Sequence, residues 1–389
     1  MELRYFCVGI NIGCGVICSY RKTDDPAYDI IVLVFFSNYL IIWRATEDAN
    51  FKRPPENTLR RYEKAGIDIS QGYPYLPNKP EFVQDVEKLQ TNLRDYKKAL
   101  FGAAKEVRDL SIHVGVDRNH RVQLAELNEK QRDELALLVA ERSVVFFRDQ
   151  DLSPQKQKEL GLYLGDGEIE IHPQVPQVPG VPGVTLIWEK AQMRIPLGPM
   201  AVGHTDLVHL AYPPGYTHLH QDTVPEVGGD TFWVIGYFHP SDPINDKFPS
   251  CSGIYRSAHQ YKDANDPSAP PRHVHIVHPL VRTHPVTGFK TIFANRAMTV
   301  GIEGLDKAES DAILNHIHDV YEKSTDIQIR WKWTPGTSAI WDNRTTIHTV
   351  SYDYEGKGER HGTRVSSLAE KPFFDPKSKS RRETLGLDQ

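Results

Sequence analysis

The chain is poor in cysteine, with four in 389 residues: Cys7, Cys14 and Cys18 crowd the N-terminus and Cys251 stands alone. No Cys-x-x-Cys pair is present, so neither a zinc ribbon nor a disulfide framework is expected, and a reducing cytoplasm fits best. A basic excess is also missing. The formal charge of −5 argues against a nucleic-acid surface. No apolar run reaches the roughly 20 residues that a bilayer-spanning helix needs. The run at 30–43 is the nearest approach, and it starts too late and lacks the cleavage pattern of a signal peptide. It reads as a membrane-associating segment or, better, as a gene-model artefact, so stable membrane insertion is not expected. No internal repeat points to a solenoid.

What remains has the 39% hydrophobic and 25% charged residues, with 27 prolines, of a soluble globular protein rich in turns. Its most informative residues are His204 and Asp206, in Gly203-His-Thr-Asp206, and the distant His348, in Trp341-Asp-Asn-Arg-Thr-Thr-Ile-His348. Alternate residues of a strand share a face, so His204 and Asp206 can reach one ion while Thr205 points away. Two histidines and a carboxylate on one face of a divalent metal leave the other face open, the ligand set of non-haem Fe(II) and oxygen chemistry. Arg360 and Arg364 follow, as cations suited to the carboxylate of a keto acid on that iron. Alone, the first pair is a weak signal. The chain has 17 histidines and a competing pair, His220 and Asp222, a few residues on.

The neighbourhood separates the two pairs. Pro225-Glu-Val-Gly-Gly-Asp-Thr231 is a glycine turn feeding a β-branched and aromatic strand. His-x-Asp, Gly-Gly-Asp-Thr231, Trp341-Asp-Asn-Arg…His348 and Arg360-x-x-x-Arg364 stand in the order that resembles the taurine dioxygenase family of Fe(II)- and 2-oxoglutarate-dependent enzymes. Over 57–389 the chain is most similar to the family's fungal sulfonate dioxygenase-like members. The segments around Arg142–Ser153 and Ile169-Glu-Ile-His-Pro173 also resemble it.

The resemblance implies that His204, Asp206 and His348 ligate Fe(II), and that Thr231 and Arg360 bind the distal carboxylate of 2-oxoglutarate, with O2 as second co-substrate. Arg364 and His172 would meet a small anionic substrate, most simply an alkyl sulfonate such as taurine, with a sulfate ester or carboxylate as alternatives. The gap from Asp206 to Thr231 fits the family, which leaves His220 and Asp222 as ordinary polar strand positions. Relatives assemble as homo-oligomers, and the same is expected here. Departures fall at Gly203, where the family carries tryptophan, and at 115–121, 193–200 and 234–240; they bear on substrate recognition more than on iron. Two other readings stand beside this one. A zinc hydrolase would use the triad without Arg360 or Thr231, and a catalytically impaired, non-enzymatic member would lack function altogether.

Other histidines carry less. His273, His275, His278 and His284 find no carboxylate or cysteine nearby in sequence and read as structural or surface residues. Asn295 and Arg296 match a family strand that organises the site. Helical patterning is expected over 88–107, 127–141, from Ser153-Pro154 toward Gly165, and over 306–323, with a buried strand at 144–147 and an extended arm at 72–77. The fold class is α+β. With short strands and Pro/Gly turns from Ile169 onward, it indicates a distorted jelly roll, or double-stranded β-helix, with flanking helices. The expected division is an atypical extension at 1–55, an arm and helix at 56–105, the dioxygenase domain at 106–375 and a basic tail at 376–389, solvated rather than polyanion-binding.

Overall fold

A computed structural model of the chain describes residues 10–12, 15–20, 29–36, 39–46, 54–70, 72–76, 98–103, 106–111, 116–119, 122–172, 175–189, 203–237, 251–261, 271–354 and 356–385. The expectations placed on 88–97, 193–200, 238–240 and 386–389, and on Cys7 and Cys14, lie outside these residues.

Strands β1 (Ile10–Ile12), β2 (Gly15–Tyr20), β3 (Asp29–Phe36) and β4 (Tyr39–Thr46) pair in that order. The apolar run 30–43 is thus shared between two strands. No helix among the described residues is long and apolar enough to cross a membrane. Then come α1 (Glu56–Lys64), α2 (Lys98–Ala103), β5 (Glu106–Asp109), β6 (Val116–Asn119), α3 (Glu129–Arg142), β7 (Val144–Phe147), α4 (Pro154–Leu164), β8 (Thr185–Glu189) and β9 (Pro214–Thr223). The second half adds β10 (Thr231–Ile235), β11 (Ser252–Tyr261), β12 (Arg272–Pro279), β13 (Val281–Thr283), β14 (Lys290–Ile292), β15 (Thr299–Ile302) and α5 (Lys307–Lys323). It ends with β16 (Gln328–Trp331), β17 (Thr337–Asp342), β18 (Thr346–Val350), β19 (Arg360–Leu368) and α6 (Arg381–Leu385).

The architecture is mixed α and β, with mostly antiparallel strands. The main sheet runs β5-β6-β7-β17-β9-β19-β8, and of its pairings that of β6 with β7 is parallel. Smaller sheets run β16-β10-β18 and β12-β11-β15, with a β13-β14 hairpin. Strict alternation makes the main sheet a wall between two cores. Val145, Phe147, Tyr216 and Ile340 face helices α3 and α4, packing with Leu135, Leu138 and Leu160. Val144, Phe146, Leu219, Ala339 and Trp341 face the other way, onto Trp233 of β10, Trp331 of β16 and Ile347 of β18. Phe146 stacks on Trp331 at 3.8 Å and meets Trp233 edge-on at 5.2 Å. A strand buried on both faces has no polar side, which is why 144–147 reads as an unbroken apolar run.

Helix starts follow their caps. Asn128 and Gln131 form a capping box on α3, Asp306 and Glu309 another on α5, and Ser153 accepts from Lys156 N ahead of Pro154 on α4. Helix α1 was not among the expected helices; it lies N-terminal to the arm expected at 72–77, with Pro55 at its N-cap. Two expectations need correction. Strand β5 begins inside the helical pattern 88–107, where β-pairing with β6 overrides propensity. The basic run at 377–382 is not a free tail. Lys290 N donates to Lys379 O at 2.9 Å and Thr283 Oγ1 to Ser378 Oγ at 3.1 Å, stitching it to the β13-β14 hairpin.

Candidate metal centre

His204 and His348 are locked together through their backbones. His204 N donates to His348 O at 3.0 Å, and His348 N donates back to His204 O at 2.8 Å. The bridge is antiparallel and isolated, so His204 sits against the middle of β18 without belonging to a strand of its own. Thr205 Oγ1 donates to Thr346 O at 2.9 Å, which holds it away from the ligands. The chain then turns. Leu207 takes φ 49°, in the left-handed region, and Leu210 N closes onto Leu207 O at 3.0 Å. Asp206 therefore reaches the site from a turn, not from the continued strand that the alternation argument assumed.

The result is compact. One ligand atom from each of His204, Asp206 and His348 lies within 4.8 Å of the others, and this is the one such group among the described residues. Asp206 Oδ1 is 3.9 Å from Nε2 of both imidazoles. Two metal–ligand bonds of about 2.1 Å bridge such a gap. Arg364 Nη1 donates to the same Oδ1 at 3.1 Å, while Thr217 Oγ1 donates to Oδ2 at 2.8 Å.

Electrostatics keep Asp206 and His348 in their ligating forms. Burial pushes the Asp206 carboxyl up, but Arg364, then His348 and His204 and the Thr217 hydroxyl, overcome this and hold it down to about 2. Burial, reinforced by the neighbouring His204, lowers His348 to about 3 and keeps its imidazole neutral. A carboxylate and a neutral imidazole are what a divalent cation requires. The donor set fits iron.

Beside the triad, Arg360 and Thr231 come together as the sequence suggested. Arg360 Nη2 donates to Thr231 Oγ1 at 3.3 Å, and Trp333 Nε1 donates to the same hydroxyl at 2.9 Å. The Arg360 guanidinium also lies 5.9 Å from the Trp333 ring centre. Arg360 and Arg364 are four residues apart on β19 and share the face that carries Thr231 and Asp206. The 169–172 stretch runs along the same strand, with Ile169 bridging Ser367 and Glu170 N bonded to Ser366 O at 2.8 Å. It carries the buried His172 toward this end of β19.

His220 and Asp222 lie on the opposite face of the wall. His220 Nδ1 is 2.9 Å from Ser338 Oγ. Asp222 takes Thr58 Oγ1 at 2.6 Å, His361 Nδ1 at 2.9 Å and Arg61 Nη1 at 3.3 Å. It clamps α1 onto the sheet. The later histidines are structural as expected, although His284 does find a carboxylate, Asp342 Oδ2 at 2.9 Å. His278 Nε2 donates to Leu210 O at 2.9 Å. Arg296 departs from expectation. It pairs with Glu322 and Asn315 of α5 rather than organising the metal site. Sequence reading missed Thr217 and Trp333. Thr217 carries no motif of its own, and only its even spacing from Leu219 and Gln221 on a buried strand marks its face.

Comparisons with known proteins agree with this geometry. Residues 106–366 match the model of the family described as taurine catabolism dioxygenase TauD, TfdA family. An alpha-ketoglutarate-dependent sulfonate dioxygenase of Saccharomyces cerevisiae is 32% identical over 286 residues, covering 70% of this chain and 69% of its own. The alpha-ketoglutarate-dependent dioxygenase oryG of Aspergillus oryzae is 34% identical over 283 residues, 65% of this chain and 83% of its own. A crystal structure of a taurine dioxygenase from Burkholderia xenovorans superposes with a TM-score of 0.59 at 27% identity, covering 70% of this chain and 94% of that one. The chain belongs to the taurine catabolism dioxygenase TauD, TfdA family.

Proposed function

We propose that the protein is an Fe(II)- and 2-oxoglutarate-dependent dioxygenase that hydroxylates a small anionic substrate, most simply an alkyl sulfonate such as taurine. One observation carries the reading: a two-histidine, one-carboxylate cluster, buried at Asp206 and His348 and open at His204, stands with the Arg364 guanidinium 3.1 Å from its carboxylate. When bound, iron with 2-oxoglutarate and O2 supplies the oxidising power, leaving position and electrostatics to the protein.

His204, Asp206 and His348 hold the metal by one face. Arg360 and Thr231 bind the distal carboxylate of 2-oxoglutarate, a guanidinium and a hydroxyl meeting a carboxylate in a buried pocket. Arg364 and His172 take the anionic head of the substrate, so that only the carbon beside it faces the metal. Hydroxylation of a carbon bearing sulfur gives a product that collapses to aldehyde and sulfite, alongside succinate and CO2. A guanidinium accepts sulfonate, sulfate ester and carboxylate alike, so the choice among them falls to assay. We read the fold as a distorted jelly roll with flanking helices at 106–375. An arm and helix at 56–105 precede it, 1–55 is an extension and 376–389 a basic C-terminal segment, in a cytoplasmic enzyme.

The test is an anaerobic titration with Fe(II) and 2-oxoglutarate, followed by the visible charge-transfer band of the chelate. The band should appear and weaken in Arg360→Ala, and a sulfonate panel should then release sulfite. Absence of the band from folded protein would overturn the reading, and turnover without 2-oxoglutarate would favour a zinc hydrolase.

A further inference from the structure

Asp206 is the one ligand with two oxygens to offer. The structure treats them differently. Oδ1 faces both imidazoles, whereas Oδ2 is engaged by Thr217 Oγ1 at 2.8 Å. Thr217 itself receives Asn343 Nδ2 at 2.8 Å, and Asn343 Oδ1 receives Trp341 Nε1 at 3.1 Å. The direction of this chain is fixed by its first member. An indole N–H only donates, so the Asn343 amide must present its oxygen to Trp341 and its NH2 to Thr217. The single Thr217 proton is then left for Asp206. Ser366 Oγ, 3.3 Å from Thr217 Oγ1, can only donate to it. Asn343 Oδ1 also receives the backbone N of Asp206 at 3.3 Å, so one amide holds both ends of the ligand residue. Thr217, Trp341 and Asn343 are all buried to within 1% of completely. Water has no access with which to replace any link.

We infer that Trp341, Asn343 and Thr217 form a one-way hydrogen-bond relay that occupies Asp206 Oδ2 and restricts this carboxylate to one ligand oxygen. The inference rests on the metal reading above. Its consequence is coordinative. A carboxylate free to present both oxygens would take a second position on the metal, and that position is one the keto acid and O2 require. The three are positioning residues, since none reaches substrate or metal.

The experiment is Co(II) binding to the full chain, with affinity and the visible d–d spectrum read together. Thr217→Val keeps the shape of the side chain and removes its hydroxyl, whereas Thr217→Ser keeps the hydroxyl. Thr217→Val should bind Co(II) about 10- to 100-fold more weakly, the usual loss when an outer partner of a ligand is removed. Its saturated spectrum should also differ in intensity from that of wild type. Thr217→Ser should restore both. Wild-type affinity and spectrum in Thr217→Val would overturn the inference, as would a Thr217→Ser variant as impaired as Thr217→Val. Should Thr217→Val prove unfolded by circular dichroism, Thr217→Ala, which only removes atoms, is read by the same two outcomes. Failure of wild type to bind Co(II) would instead strike the metal reading itself.

Discussion

Asp222→Asn separates the two His-x-Asp pairs on physical grounds. The substitution keeps the size of the side chain and removes its charge. What it leaves behind is Arg61, whose side chain is 9% exposed, with no carboxylate against it. Removing one partner of a buried ion pair costs about 3–5 kcal/mol. Arg61 retains Leu152 O at 2.6 Å, Thr363 Oγ1 at 2.8 Å and Gln157 Oε1 at 3.1 Å, so the lower end applies, about 3 kcal/mol. At roughly 1.2 °C per kcal/mol for a chain of this size, the melting temperature should fall by about 4 °C. Co(II) affinity should stay close to wild type, because Asp222 and Asp206 lie on opposite faces of the main sheet. Asp206→Asn should show the reverse, with metal binding lost. The paired assays are thermal unfolding by circular dichroism and Co(II) titration. Loss of metal binding in folded Asp222→Asn, with its melting temperature unchanged, would refute the assignment.

Three further outcomes follow from the same packing and electrostatics. Burial depresses His278 and His318 to about 4 and His218 to about 3, all below their ordinary 6.5. The unfolded chain therefore binds more protons, and stability held in full above pH 6.5 should fall as pH drops toward 4. Each group contributes about 1.4 kcal/mol per pH unit, and urea melts at pH 7.5 and 5.5 that agree would count against it. Glu370→Gln removes the carboxylate that pairs with Arg282 and leaves Arg344 with Asp342 alone in a fully buried network, and should cost about 3–5 kcal/mol by denaturant unfolding without altering Co(II) affinity. Saturating Co(II) at a hundred times its dissociation constant should stabilise wild type by about 2.7 kcal/mol and leave His204→Ala unmoved, as scanning calorimetry would report.

How much of this was legible in the sequence depended on the distance over which each signal acts. Capped helices announce themselves locally: Ser153-Pro154 and Asp306-x-x-Glu309 sit where the structure starts α4 and α5. The strand at 144–147 was equally plain. Helix α1 was not, because its mean hydropathy is low and its stability comes from contacts made 91 to 303 residues away, through Arg61 to Leu152 and Thr58 to His361. In the site, the triad and the Arg360–Thr231 contact were readable as motifs in order. Thr217 was not, since its role depends on which face of β9 it occupies and on an amide 126 residues on.

Strand β9 also explains what the competing pair does. Along Pro214–Thr223, Thr217 and Leu219 turn inward, toward Asp206 and the tryptophan-rich core, while Tyr216 and Asp222 turn outward, toward the helices. Strand β19 repeats the division. Arg360 and Arg364 face Thr231 and Asp206, whereas His361 joins the Asp222 clamp, Thr363 bonds Gln157 and Ser367 donates to Gly161 O of α4. One pair of adjacent strands therefore supports the candidate metal centre on one side and fastens α1 and α4 on the other. A one-residue slip of β9 against β19 would exchange the two sets, placing Asp222 on the side of the triad and Thr217 beneath the helices. The clamp opposes such a slip, because Arg61 ties Asp222 of β9 to Thr363 of β19 in the register seen. The second His-x-Asp pair thus serves the first without touching it, by holding in register the strands that present Thr217 and Arg364 to Asp206.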